Sequence, residues 1–213
     1  MMTEKKQAYK SLGATMIKNF KKRNIDAYYC DSSQEAVALA MEFMNEGGTV
    51  GMGGTETVKE TGLLDSVKSA EHLTFIDRDI AKTPAERKAI YLETMGCKYY
   101  LMSSNAVTVD GELVNIDGNG NRVASLIFGP EQVLVLVGMN KVVETVDAGI
   151  DRIGIHAAPL NAARLGTRTP CAAIGHCGNC HSEDCMCCQI VITRHSREAG
   201  RIKVILIGEE LGF

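Results

Sequence analysis

Five consecutive aliphatic residues, Val133-Leu134-Val135-Leu136-Val137, constrain the fold of this chain more than any other feature. A strand that is apolar at every position has no solvent face, so both of its faces must be covered. A central strand of a parallel sheet, with helices on either side, meets that condition. The residues before it supply a matching rhythm. An amphipathic helix is expected over 4–24 and a short strand over 25–30. Asp31, Ser32 and Ser33 are good caps for a helix running to about Asn45, which Gly47-Gly48 ends. Strands follow at 49–52, 73–76 and 98–102, with a helix opened by Thr83 and Pro84 and running to Met95. Alternation of this kind is the signature of an α/β fold with a mainly parallel sheet flanked by helices.

After that point the rhythm changes. Residues 106–109 and 112–116, joined at Asp110-Gly111, read as a hairpin. A helix is expected from about Val143 to Ala157, stopping before Pro159, with a second short helical piece beyond it. Residues 189–193 and 201–207 are late strands. The expectation is a single α/β domain over 1–213, with a cysteine-rich excursion at 169–188.

Charge narrows the function. A net charge of −3 argues against a protein that binds nucleic acid by neutralising phosphates. The basic cluster Lys18, Lys21, Lys22 and Arg23 belongs to a solvated helix face. The first ten residues hold no apolar stretch of signal-peptide type, and no apolar run is long enough to span a bilayer. A cytoplasmic protein without membrane insertion is expected.

Of the eight cysteines, Cys30 and Cys97 stand alone and the others crowd into TPCAAIGHCGNCHSEDCMCCQ. In a cytoplasmic setting such thiols are reduced and available to a metal rather than to disulfides. Cys177-Gly178-Asn179-Cys180 is the informative unit, because a two-residue spacer lets both sulfurs face one centre, and Gly178 permits the turn. Thiolates suit Zn²⁺ or an iron–sulfur cluster. The uneven spacing and the Pro170-Cys171 pair favour a cluster, with zinc the alternative. His176 and His181 flank cysteines and are either zinc ligands or exposed polar residues.

A second site is expected at the carboxyl edge of the sheet, where open parallel sheets bind ligands. Gly51, Gly53, Gly54, Thr55 and Glu56 form a glycine turn between a strand and a helix, open to an anion but matching no dinucleotide or P-loop pattern. Ser103-Ser104-Asn105 and Gly138-Met139-Asn140-Lys141 also follow strands, which adds Asn105, Asn140 and Lys141. The string Asp117-Gly118-Asn119-Gly120-Asn121-Arg122 is too long for a two-residue turn. Its Asn119, Asn121 and Arg122 either wrap an anion or simply form a long loop. Arg164 and Arg168 are candidates to bridge crevice and cysteines. No catalytic triad is visible, and His72 and His156 read as structural.

Four stretches, NAVTVDGELVNIDGNGNRVA, FGPEQVLVLVGMNKVV, TPCAAIGHCGNC and RIKVILIGEELGF, resemble the lactate-utilisation (LUD) domain family, in its cysteine-bearing stand-alone branch. The resemblance covers nearly the whole chain. It implies a fold akin to sugar-phosphate isomerases and coenzyme A transferases, and a role in bacterial lactate oxidation beside iron–sulfur proteins. It also implies a [4Fe–4S] cluster on Cys171, Cys177, Cys180 and Cys187. This chain departs from that pattern at Cys185, an alternative fourth ligand standing where a basic residue is expected, and at the extra Cys188.

Three functions follow as expectations. The first is a component of lactate or related 2-hydroxy-acid utilisation, with a small anionic metabolite in the crevice and iron–sulfur or redox proteins as partners. The second is an isomerase or transferase acting on a phosphorylated sugar or a coenzyme A ester. For that reading the nearby carboxylates are Glu56 and Glu60. The third is a non-catalytic binding or regulatory protein that zinc stabilises.

Overall fold

The structure, a computed structural model, describes residues 3–213, so the first two residues of the expected domain lie outside it. Helix α1 (Glu4–Lys22) leads into strand β1 (Asp26–Cys30), α2 (Ser33–Phe43) and β2 (Gly48–Met52). The glycine turn then opens two short helices, α3 (Glu56–Glu60) and α4 (Leu63–Ser69), before β3 (Leu73–Phe75). A single 3₁₀ turn at Arg78–Ile80 precedes α5 (Pro84–Thr94), which leads to β4 (Tyr99–Met102). The hairpin β5 (Ala106–Thr108) and β6 (Leu113–Asp117) is followed by α6 (Asn121–Ile127) and β7 (Gln132–Gly138). Another 3₁₀ turn (Met139–Lys141) leads into β8 (Val142–Val143), α7 (Val146–Arg152), α8 (Ala158–Leu165) and α9 (Pro170–Ile174). Strands β9 (Gln189–Thr193) and β10 (Ile202–Ile207) complete the described elements.

The main sheet has six strands in the order β1-β10-β7-β4-β2-β3, and each neighbouring pair is parallel. Strand β7 lies inside it and is buried on both faces. Its Leu134 and Leu136 pack with Tyr99 and Leu101 of β4, Ile205 and Ile207 of β10, and Ala36 and Ala40 of α2. Val133, Val135 and Val137 point the other way, toward Met16 and Phe20 of α1. The period of two along the strand thus divides one apolar run between two cores. Each fully buried aliphatic side chain contributes about 1.5–3 kcal/mol, so the run fixes the layer order strongly.

A second sheet, β8-β5-β6-β9, extends the hairpin on both sides. Strand β9 pairs antiparallel with β6, Asp117 opposite Gln189, and so ties the end of the cysteine-rich segment to the hairpin. No partner for β9 was legible in the sequence, because strand pairing over such a separation has no local signature. No helix among the described residues is long and apolar enough to cross a membrane.

Two local expectations are corrected. The helix expected from Val143 begins at Val146, because Val142–Val143 pairs with β5 and Thr145 caps the helix by accepting from Ala148 N–H. Nor does it stop at Ala157. The backbone continues through a π turn at Ile153–Ala157 into α8, and Pro159 is accommodated in the first turn of α8. A π turn widens the ring of hydrogen bonds locally, which lets a residue without an N–H pass without ending the helix.

Candidate functional site

Strands β2, β4 and β7 all end at one edge of the main sheet, and the segments that leave them enclose a crevice of about 310 Å³. Gly54, Thr55 and Glu56 form one wall, Ser103 to Asn105 another, and Lys141 rises from the 3₁₀ turn after β7. Thr55 caps α3 by accepting from Val58 N–H (3.4 Å), which fixes the glycine turn against the helix. Glu56, in the first turn of that helix, already supplies the negative charge its N-terminus favours. The helix end therefore does not call for an external anion.

The charges around the crevice are unevenly paired. Glu56 meets Lys59 (3.1 Å) and Arg164 (3.3 Å), and Asp117 meets Arg122 (2.9 Å). Arg78 and Arg87 also line the crevice, and their charges are not neutralised in this way. Arg78 has only a 3.9 Å approach to the exposed Asp79, its Nε is buried without a hydrogen-bond partner, and Arg87 makes no ion pair among the described residues. The Arg78 guanidinium lies 3.2 Å from where a Cβ on Gly54 would stand, so glycine there leaves room for the cation. The crevice mouth consequently carries uncompensated positive charge.

Lys141 is a different kind of cation. It is 3% exposed, and its Nζ donates to Thr57 Oγ1 (2.7 Å) and Ser103 Oγ (3.0 Å) with no carboxylate in ion-pair contact. Burial pushes its pKa down from 10.5 to about 7, and the nearby Arg152 and Arg122 guanidinium groups add to the shift. Lys141 therefore changes charge near neutral pH, and the lasting unpaired positive charges belong to Arg78 and Arg87.

The other expected crevice residues divide. Asn105, Asn119 and Asn121 line it. Gly51 does not; a Cβ there would overlap Thr94 and approach Cys97, on the far side of the strand. Gly53 instead lets the Arg122 side chain and the Tyr100 hydroxyl come close. Asn140 also lies outside: its Oδ1 accepts from Leu211 N–H (3.1 Å), which pins the C-terminal turn.

The string at 117–122 is not a long loop. Gly120 (φ 79°) caps α6, its N–H bonds the Asp117 carboxylate (2.7 Å), and Arg122 turns inward. All the donor nitrogens of Arg122 are engaged, by Asp117, Ser103 O, Asn115, Asn105 and Ile116 O. Arg122 lines the crevice but has no hydrogen left for a ligand, so it frames the site rather than receiving an anion. Arg78, Arg87 and Thr57 were not singled out in the sequence. Arg78 and Arg87 follow β3, the same edge rule that marked the other segments, and that position was the available signal.

The cysteine segment adjoins this crevice. All eight cysteines are free thiols. Cys171, Cys177, Cys180, Cys185 and Cys187 line a second cavity of about 50 Å³, and Met186 and Cys187 are walls of both cavities. Three contacts hold the segment in place. Cys188 N–H bonds Asp117 O (3.0 Å), Met186 packs 3.2 Å from where a Cβ on Gly118 would stand, and Cys177 N–H bonds Gly154 O (2.8 Å). The last contact follows from Pro159. In the π turn the next donor to Gly154 O would be residue 159, and proline has no N–H to give.

The turn in Cys177-Gly178-Asn179-Cys180 is made at Asn179 (φ 50°) rather than at Gly178, and Asn179 N–H points at Cys177 Sγ (3.4 Å). His176 and His181 do not line the thiol cavity, so its titratable donor set is all sulfur. Among the described residues no three such groups close on a single point tightly enough for one metal ion. Arg164 lines the crevice, whereas Arg168 pairs with Asp184 (3.3 Å) and stays out of it.

The sequence model described as the LUD domain matches residues 14–207. No curated protein gives a significant match. Among solved structures, a DUF162 family protein from Deinococcus radiodurans aligns with a TM-score of 0.52 at 10% identity, covering 93% of this chain and 98% of that one. The delta subunit of eIF2B from Chaetomium thermophilum aligns at 0.41 and 12% identity, covering 84% of this chain and 57% of that one. At such identities the first likeness concerns the fold alone.

Proposed function

The chain belongs to the LUD domain family, and from that premise we propose that it is a redox component of bacterial lactate or related 2-hydroxy-acid utilisation. In this reading the crevice takes a small carboxylate, and Cys171, Cys177, Cys180 and Cys187 hold a [4Fe–4S] cluster, with Cys185 the alternative fourth ligand. The observation that carries it is the wall shared by the two cavities, Met186 and Cys187. A carboxylate held by Arg78 and Arg87 is thereby kept close to the thiols. The uneven cysteine spacing and the Pro170-Cys171 pair favour a cluster over zinc. The titratable donors around the cavity are all sulfur, which either would accept. When bound, the cluster supplies one-electron transfer, which fits iron–sulfur or redox proteins as partners. The transferase reading has less support, since Glu56 is ion-paired and Glu60 accepts from Gly212 N–H (2.6 Å), so neither stands free as a nucleophile.

Anaerobic reconstitution with iron and sulfide, followed by metal analysis and absorption spectroscopy, tests the assignment. The expected result is about four irons per chain, falling sharply in Cys177→Ser, with calorimetric binding of lactate retained in that variant. A colourless protein that takes up zinc and no iron overturns the cluster, and failure of lactate to bind overturns the crevice assignment.

A further inference from the structure

We propose that Lys141 is a covalent site for 2-oxo acids, its buried amine condensing with the ketone carbon to form an imine at the floor of the crevice. The inference deepens the proposed carboxylate crevice and rests on it. A lysine buried for structural reasons is normally held by a carboxylate. Lys141 instead lies between two hydroxyls, Thr57 Oγ1 at 2.7 Å and Ser103 Oγ at 3.0 Å, and opens on the crevice. The charged groups around it are Arg152 from α7, Arg122 from α6 and Glu60 from α3. Arg152 is anchored on the Asn140 and Asn105 carbonyls, and Glu60 is turned to the Gly212 N–H. Two fixed guanidinium groups therefore face the amine, while the one carboxylate is engaged elsewhere. Burial beside a second cation is a known way of keeping a lysine amine nucleophilic at neutral pH.

The chemistry needs no further reactant. The nitrogen lone pair attacks the carbonyl carbon, the C–N bond forms, and the carbonyl π electrons move to oxygen. A proton passes from nitrogen to that oxygen, and the carbinolamine loses water to leave C=N. Nothing is oxidised or reduced. Thr57 and Ser103 each carry a hydroxyl able to donate and accept, so they are placed to move the proton from nitrogen toward the departing oxygen. Arg78 and Arg87 at the mouth supply the charge for the acid's carboxylate, a task a neutral amine cannot perform. A 2-oxo acid is also the ketone counterpart of a 2-hydroxy acid, and thus fits the same crevice.

The test is reductive trapping. The protein is incubated with pyruvate and sodium cyanoborohydride, and a peptide mass map locates the adduct. One adduct at Lys141 is expected, absent from Lys141→Arg and with lactate in place of pyruvate, and its rate should reach half-maximum near pH 7. Thr57→Val and Ser103→Ala keep the lysine, and each should slow trapping at least several-fold. Labelling confined to exposed lysines, or none, overturns the proposal. If lactate binds and iron loads but Lys141 stays unlabelled, only this inference falls. A Lys141 adduct in a protein that neither binds lactate nor loads iron would uphold it and remove the functional reading instead.

Discussion

Replacing Lys141 with methionine should stabilise the protein near neutral pH and abolish part of its pH dependence. In the fold the ammonium pKa falls from 10.5 to about 7, chiefly through burial. Between those two values the unfolded chain holds a proton that the folded chain has released, so stability rises with pH across that window. Below pH 7 the full penalty of burying the charge is present; above 10.5 it has vanished. At about 1.4 kcal/mol per pH unit the gap corresponds to roughly 5 kcal/mol as an upper bound. Between pH 7 and pH 9 alone the wild type should gain about 2 kcal/mol that Lys141→Met does not.

Methionine keeps the apolar stem. It leaves Thr57 Oγ1 its contact with Leu211 O (3.4 Å) and Ser103 Oγ its contact with Ser104 O (3.4 Å), so the opposing loss is small. Cys30 and Cys97, whose thiols burial pushes up to about 11, lower stability only above pH 9 and do so in both proteins. The difference between wild type and variant therefore isolates the lysine. Parallel thermal melts should show a gap in Tm that narrows by about 4–8 °C from pH 7 to pH 9. A gap that does not change over that range would refute the neutral-lysine argument.

Three further outcomes follow from the same geometry. Arg122→Met leaves the buried Asp117 carboxylate with its Gly120 N–H but no cation, and urea denaturation should show a loss of about 3–5 kcal/mol, with Asp117→Asn milder. Gly51→Ala forces a methyl group onto Thr94 and to 3.1 Å from Cys97 Sγ, and should destabilise by about 1–3 kcal/mol while leaving the crevice charges in place; an unchanged denaturation midpoint would contradict the packing described. Arg78→Ala removes the unneutralised guanidinium beside Gly54, and calorimetry should show lactate binding weakened by about tenfold, the loss of one charge-assisted contact near 1.5 kcal/mol.

The layers and the binding edge were legible in short stretches of the chain. The run at 133–137 required cover on two faces, and strand periodicity assigned Leu134 and Leu136 to one core and the valines to the other. Thr83-Pro84 marked the start of α5, where Thr83 and Glu86 form a reciprocal cap. These are local properties, written in residues a few positions apart, and so is the placement of polar segments after strands that brought Thr55, Asn105 and Lys141 to one crevice.

The remaining features arise from groups distant in the chain that packing brings together. Arg122 looked available because nothing near it in sequence shows that Ser103 O and Asn105 would take its hydrogens. Pro159 looked like a helix stop because a local rule cannot anticipate a π turn whose free carbonyl is taken up by Cys177. The closeness of the thiols to the crevice arises from β9 pairing with β6. The state of Lys141 is the clearest case. A side chain's charge is set by the dielectric and the charges around it, and both come into being only when Thr57, Ser103, Arg152 and Arg122 close over it.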